Sequence, residues 1–278
     1  MSIISYNRSL LLDSCLESVA RAMGHRKVPI YVVLQDATIQ DEKVVEKYKN
    51  LISEILFVRS ENLHTEELIN NNRIRAWEIA LIKNSHDYVI CLEDDVEVSK
   101  DIFDFTEQVL EQNVNLTDFR GINFGSFETD AGAGTYSRIR YGLHGPASLI
   151  SQETARRFKL RKLRKFHGII AWDSWVEPIL KKGFLATSNL SRYRDNGING
   201  THTSTGDATN YFRKLNASFE IGQHIEGMEI ANSDIEHSLR KDCHIYRSQD
   251  RFKYSRKFFL IRTYQYYKVI VQKLKAAF

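Results

Sequence analysis

Cysteine, proline, methionine and tryptophan are all scarce, with three of each in 278 residues. Cys15, Cys91 and Cys243 are far apart, odd in number and form no Cys-x-x-Cys pair. Neither a disulfide framework nor a structural zinc site is indicated, and a reducing compartment is expected. Three prolines and 14 glycines exclude a collagen-like or linker-rich chain. No run approaches the ~18 apolar residues of a membrane span. The opening Met1-Ser2-Ile3-Ile4-Ser5 lacks the basic-then-apolar pattern of a signal peptide, so a cytoplasmic location is expected. Charge of one sign is also nearly absent in excess: 39 Lys and Arg face 35 Asp and Glu, a formal +4. That mild surplus does not imply nucleic acid, because an anionic ligand satisfies it equally well.

What is present is enough apolar residue to build a core: 42% hydrophobic against 27% charged. Short apolar runs alternate with amphipathic segments. Strands are predicted at Ser2 to Ser5, Pro29 to Leu34, Ile55 to Val58 and Tyr88 to Leu92. Helices are predicted from Ser9 (Leu12, Cys15, Leu16 and Val19 at 3–4 spacing), over Asp41 to Leu51, and over Asn71 to Asn84. Unalternated strands between helices call for a mostly parallel sheet covered on both faces. Beyond residue 112 the rhythm changes. Strands are predicted at Phe119 to Phe127, Tyr141 to Ile150 and Phe184 to Ser188, and helices at Gln152 to Arg164 and Trp172 to Lys182. Asp130 to Tyr136 and residues 189–210 read as loops. The expected division is 1–112 and 113–225 as two halves of one domain, and 226–278 as a basic helical extension.

Three polar clusters follow strands. They are Asn7-Arg8 after the first, Gln35-Asp36 after the second, and Glu93-Asp94-Asp95 after the fourth. In an open parallel sheet, ligands bind at the carboxyl ends of strands, so one Arg and four acids converge there. Adjacent carboxylates repel, and a hard cation such as Mg²⁺ or Mn²⁺ relieves that cost while also accepting diphosphate oxygens. No Gly-rich phosphate loop is present. Each cluster alone has a plainer reading: a solvated acidic turn, a surface Arg8, or Asp36 as a cap or turn residue. Their shared address favours a site.

In its ordered motifs the chain resembles the GT-A-fold inverting glycosyltransferases, most closely glycosyltransferase family 13, the α-mannoside β-1,2-N-acetylglucosaminyltransferase type. The residues that carry this are Asn7-Arg8-Ser9, Gln35-Asp36, Leu92 through Val98, Trp172-Asp173-Ser174-Trp175, Ser191-Arg192 and the Gly197-Ile198-Asn199-Gly200 loop. The resemblance implies a GT-A-type, Rossmann-like α/β sheet flanked by helices, with a mixed C-terminal half. It implies a UDP-sugar donor, N-acetylglucosamine first and xylose or another hexose as alternatives, and a glycan or lipid-linked glycan acceptor. Arg8 and Asp36 would hold the uracil and ribose end, Glu93 and Asp94 the sugar nucleotide, and Asp95 would be the only protein carboxylate on Mn²⁺. Asn72 stands where the family has a histidine, and Gly142 through Pro146 and the 197–202 loop also depart from the family pattern.

Asp173 would be the catalytic base, with Trp172 and Trp175 desolvating it and facing sugar. Asp173 can equally be read as a helix N-cap. His144, His167, His202 and His224 are isolated and suit surface roles as well as metal. From Arg251 to Phe278 there is no acid, and Leu260, Tyr264, Tyr267, Val271, Leu274 and Phe278 share one helical face. That face suits a peripheral membrane contact, a dimer seam or docking on the domain. A sugar-nucleotide pyrophosphorylase and an inactive carbohydrate- or nucleotide-binding protein are the rival readings.

Overall fold

The computed structural model describes residues 1–60, 65–126, 136–139, 145–158, 182–197 and 215–220, and singly 143, 172, 176, 179, 180 and 213. The chain runs β1 (Ser2–Tyr6), α1 (Ser9–Met23), β2 (Ile30–Gln35), α2 (Ile39–Lys47), β3 (Ile52–Val58), α3 (Thr65–Trp77) and β4 (Tyr88–Glu93). The four strands pair in parallel in the order β3-β2-β1-β4. Strand β2 shows why its apolar run does not alternate. Val32 and Leu34 join the core that includes Leu12, Leu16 and Val19 of α1. Tyr31 and Val33 join the core that includes Ile74 and Trp77 of α3. A strand buried on both faces needs apolar residues on both.

The second half is mixed. It contains β5 (Val96–Val98), α4 (Ile102–Asn113), β6 (Phe119–Asn123), β7 (Tyr136–Ile139), β8 (Ala147–Ser151), α5 (Gln152–Arg157), β9 (Phe184–Ser188) and β10 (Tyr193–Asp195). β8 inserts antiparallel between β4 and β6, β9 lies parallel to β6, and β7 closes the far edge antiparallel to β9. The result is an eight-stranded sheet, β3-β2-β1-β4-β8-β6-β9-β7, beside a two-stranded β5-β10 ribbon.

Several expectations need correction. β6 stops at Asn123, not Phe127, and β8 starts at Ala147, not Tyr141. Tyr136 opens β7 and is not part of a loop, and the predicted 189–210 loop contains β10. Strands of three or four residues are too short to show a period, so no local signal marks them. α3 begins at Thr65, six residues before the predicted Asn71, and ends in a π turn, Glu78–Lys83. α2 is capped by Thr38, whose side chain and that of Asp41 bond each other's backbone N–H, so Asp36 is not its cap. Positions 172, 176, 179 and 180 are helical, as predicted for Trp172 to Lys182. Residues 159–164 and the whole 226–278 extension lie outside the described residues. Among the described residues no helix is long and apolar enough to cross a membrane.

Gly121 sits inside β6 with φ of 155°. A Cβ there would overlap the Leu149 carbonyl oxygen of paired strand β8. Gly121→Ala is therefore expected to cost about 3 kcal/mol, from overpacking against backbone and an unfavourable dihedral. For a chain of this size that lowers Tm by roughly 6–12 °C. Thermal unfolding followed by circular dichroism checks this, and an unchanged Tm would refute the assigned β6–β8 packing.

Candidate active site

The carboxyl ends of β1, β2 and β4 lie on the same side of the sheet because these strands are parallel. Two of them end in a left-handed residue, Asn7 (φ 46°) after β1 and Asp36 (φ 48°) after β2. Asn and Asp are the non-glycine residues that best tolerate this backbone, which turns the chain sharply off the strand.

Asp94 is the buried centre of the cluster, with no exposed surface. Its Oδ2 accepts hydrogen bonds from Ser5 Oγ at 2.7 Å, the Tyr6 backbone N–H at 3.2 Å and Arg8 Nε at 3.2 Å. Arg8 Nη2 also pairs with Asp94 Oδ1, while Nη1 reaches Asp95 Oδ2 at 2.8 Å. Arg8 occupies the N-cap position of α1 but makes no side-chain cap bond there. It belongs to the acids, not to the surface. Burial, reinforced by the Asp95 charge and opposed by Arg8, raises the Asp94 carboxyl to about 7.

Glu93 has its own cation. Arg73 of α3, almost fully buried, donates Nη2 to Glu93 Oε1 at 2.6 Å and to the Gly145 carbonyl at 2.7 Å. Burial raises the Glu93 carboxyl against the pull of Arg73. The Arg73 guanidinium lies over the Trp172 ring, 4.7 Å from its centroid. Trp172 is fixed further by its backbone N–H, which donates to Asn70 Oδ1 at 2.8 Å, and by an edge contact with Trp77.

Asp36 belongs to a second polar group. Its carboxylate accepts the Ser60 N–H at 2.8 Å and the Ser60 hydroxyl, which together hold its pKa below the ordinary value. Gln35 Nε2 donates to Ser60 Oγ at 2.7 Å, and Asn72 Nδ2 donates to Gln35 Oε1. Asn72 is buried, so it meets the site through Gln35 and Asp36.

Of the residues singled out in sequence, the structure brings together Arg8, Glu93, Asp94 and Asp95, and sets Asp36 and Asn72 in the neighbouring Ser60 group. Trp172 borders Glu93: a Cβ on Gly145 would lie 3.4 Å from Trp172 Cζ2 and 3.9 Å from Glu93 Oε1. Asp173, Trp175, His144, His167, His202 and His224 lie outside the described residues. Three participants escaped the sequence reading: Arg73, Ser60 and Asp195. Arg73, next to Asn72 in the helical pattern, carries no motif of its own. Asp195 lies in the Asn- and Gly-rich segment read as a loop, where an Asp-Asn-Gly turn was the available signal.

Asp195 is buried at the end of β10. Burial and the like charge of Asp95 raise its carboxyl to about 7. Asp95 Oδ1 is buried without a hydrogen-bond partner. Glu93, Asp94, Asp95 and Asp195, when ionised, face two guanidiniums, Arg8 and Arg73, which leaves a formal excess of two negative charges among the described residues. Among the described residues no group of three His, Cys, Asp or Glu side chains is arranged to hold a metal. A pair of carboxylates that leaves positions for diphosphate and water is the other familiar arrangement for Mg²⁺ or Mn²⁺.

No protein-family model and no curated protein matches the chain. Solved structures do. TarS residues 1–349 of S. aureus is similar with TM-score 0.50 and 13% identity, over 82% of this chain and 66% of that one. The same segment in complex with UDP gives 0.49 and 15%, over 69% and 59%. The galactosyltransferase LgtC, in complex with donor and acceptor sugar analogs, gives 0.41 and 13%, over 67% and 72%. The chain thus spans 59–66% of the S. aureus segment it resembles. From its own strand order and this likeness, the chain has the GT-A-type α/β fold, a mostly parallel sheet flanked by helices.

Proposed function

We propose that this protein is a metal-dependent inverting glycosyltransferase. It moves a sugar from a UDP-sugar, with N-acetylglucosamine as the first donor to test, to a hydroxyl of a glycan or lipid-linked glycan. The observation that carries the reading is the meeting of Arg8, Glu93, Asp94 and Asp95 at the carboxyl ends of β1 and β4, in a GT-A-type sheet. Such a crevice is where α/β sheets take nucleotides.

The residues fit a divalent cation, because Asp95 has a buried oxygen without a partner and the cluster carries surplus negative charge. A bound Mn²⁺ or Mg²⁺ supplies Lewis-acid neutralisation of the departing diphosphate. Asp36, oriented by Ser60, accepts hydrogen bonds from the nucleoside. Arg73 holds Glu93 in place beside Trp172. Asp173, one peptide from Trp172, takes the proton from the acceptor hydroxyl as its oxygen bonds the anomeric carbon and the bond to UDP breaks on the opposite side. One displacement inverts the anomeric carbon.

Calorimetry with UDP should show binding that strengthens at least about tenfold when Mn²⁺ is present, since a cation held by Asp95 would offset the charge of the diphosphate. A panel of nucleotide sugars with Mn²⁺ should then show hydrolysis or transfer for one UDP-sugar. Absence of UDP binding, together with no turnover of any donor, would remove this reading.

A further inference from the structure

We propose that Asp195 supplies a second carboxylate to the divalent cation bound by Asp95, a proposal that rests on the cation-dependent reading above and sharpens it. Three observations carry it. The first is backbone register. β10 pairs antiparallel with β5 so that Asp195 lies opposite Val96, the residue after Asp95. The Asn196 N–H donates to the Asp95 carbonyl at 2.8 Å, which holds the two acid-bearing segments side by side.

The second is charge. Asp95 is 8% exposed and Asp195 4%, yet the pair shares little positive charge. Arg8 touches Asp95 through Oδ2 only and divides itself between Asp95 and Asp94. Asp95 Oδ1 has no partner, and no Lys, Arg or His pairs with Asp195 among the described residues. Burying two like charges this way is costly without a counter-ion.

The third is proximity. A Cβ on Gly197 would lie 2.5 Å from Asp95 Oδ2 and 3.0 Å from Asp195 Oδ1, so both carboxylates approach one point beside the Gly197 Cα. The Gly197 N–H also fixes Asp195 by donating to its Oδ1 at 2.7 Å. Two carboxylates this close on neighbouring segments match the oxygen-rich coordination that Mg²⁺ and Mn²⁺ take.

The test is Mn²⁺ binding by the full chain, with free ion followed by electron paramagnetic resonance with and without UDP. Asp195→Asn keeps an oxygen for the Gly197 N–H and removes the charge. Its Mn²⁺ affinity should fall by more than about 100-fold, beyond the roughly 10–100-fold that loss of an outer-shell partner costs. Its metal-free Tm should rise, because a buried repulsive charge is gone, and the gain in Tm on adding Mn²⁺ should shrink. An acid with a purely structural role would lower the metal-free Tm and leave affinity alone, which would overturn the proposal. A loss of about 100-fold or less, while Asp95→Asn loses Mn²⁺, would also overturn it and leave the cation-dependent reading standing. A wild-type chain that binds no Mn²⁺, with or without UDP, would overturn both. If Asp195→Asn does not fold, Gly197→Ala serves instead: its backbone lies outside the left-handed region and its methyl would push the two carboxylates apart. A tenfold loss of Mn²⁺ affinity is expected there, and unchanged affinity would overturn the proposal.

Discussion

Asp95→Asn is expected to abolish metal-dependent transfer while the protein folds normally. The amide keeps the shape of the carboxylate, and its oxygen still accepts from Arg8 Nη1, so the loop after β4 retains its contact. Asp94, with three further donors of its own, stays in place. What the substitution removes is the anionic charge a cation needs. Stabilisation of a departing diphosphate by a cation is worth several kcal/mol. At 1.36 kcal/mol per tenfold, losing it lowers the rate at least about 10³-fold. Turnover of the preferred UDP-sugar as a function of Mn²⁺ concentration measures this. A variant with near-normal rate and unchanged Mn²⁺ dependence would show that Asp95 is not the metal ligand.

Asp173→Asn separates the two readings of that residue. As general base, Asp173 acts on the acceptor hydroxyl, so the donor should bind as before and the rate should fall about 10²–10⁴-fold. As an N-cap alone, Asn is a nearly equivalent residue and activity should hardly change. Trp172, its neighbour in sequence, lies over Arg73 and beside Glu93. Measuring the transfer rate together with UDP-sugar affinity decides the matter. A loss under threefold with intact donor binding would return Asp173 to a capping role and direct the search to Glu128, Asp130 and Glu177.

The polar network itself explains why single strand-end motifs were hard to weigh. Asp94 reads in sequence either as part of a solvated acidic turn or, by the resemblance, as a contact to the sugar nucleotide, and in the structure it is fully buried. Its neutralisation depends on Ser5 and Arg8, nearly ninety residues away. Asn72 stands in sequence where the resembled family has a histidine, and in the structure its amide donates to Gln35 Oε1. The Asn72–Gln35 bond follows from α3 packing against β2 and the Asp94 contacts from β1 pairing with β4, and no local pattern records either.

Some of this protein is determined by sequence alone. The four parallel strands, the helices between them and the location of Arg8, Asp36 and Glu93 to Asp95 at strand ends follow from apolar period, segment length and turn residues. Those signals are local, and the right-handed crossover rule then leaves few topologies. Tertiary structure alone decided the rest. The antiparallel entry of β8 between β4 and β6 joins strands whose sequences look the same in either direction. The β5–β10 ribbon joins segments nearly a hundred residues apart, each too short to announce itself, and it is this pairing that puts Asp195 beside Asp95. Arg73 pairs with Glu93 because α3 lies across the sheet, not because of any spacing between them. Burial is a property of the assembled sheet and helices. The charge state of these carboxylates, and with it their chemistry, could be settled only there.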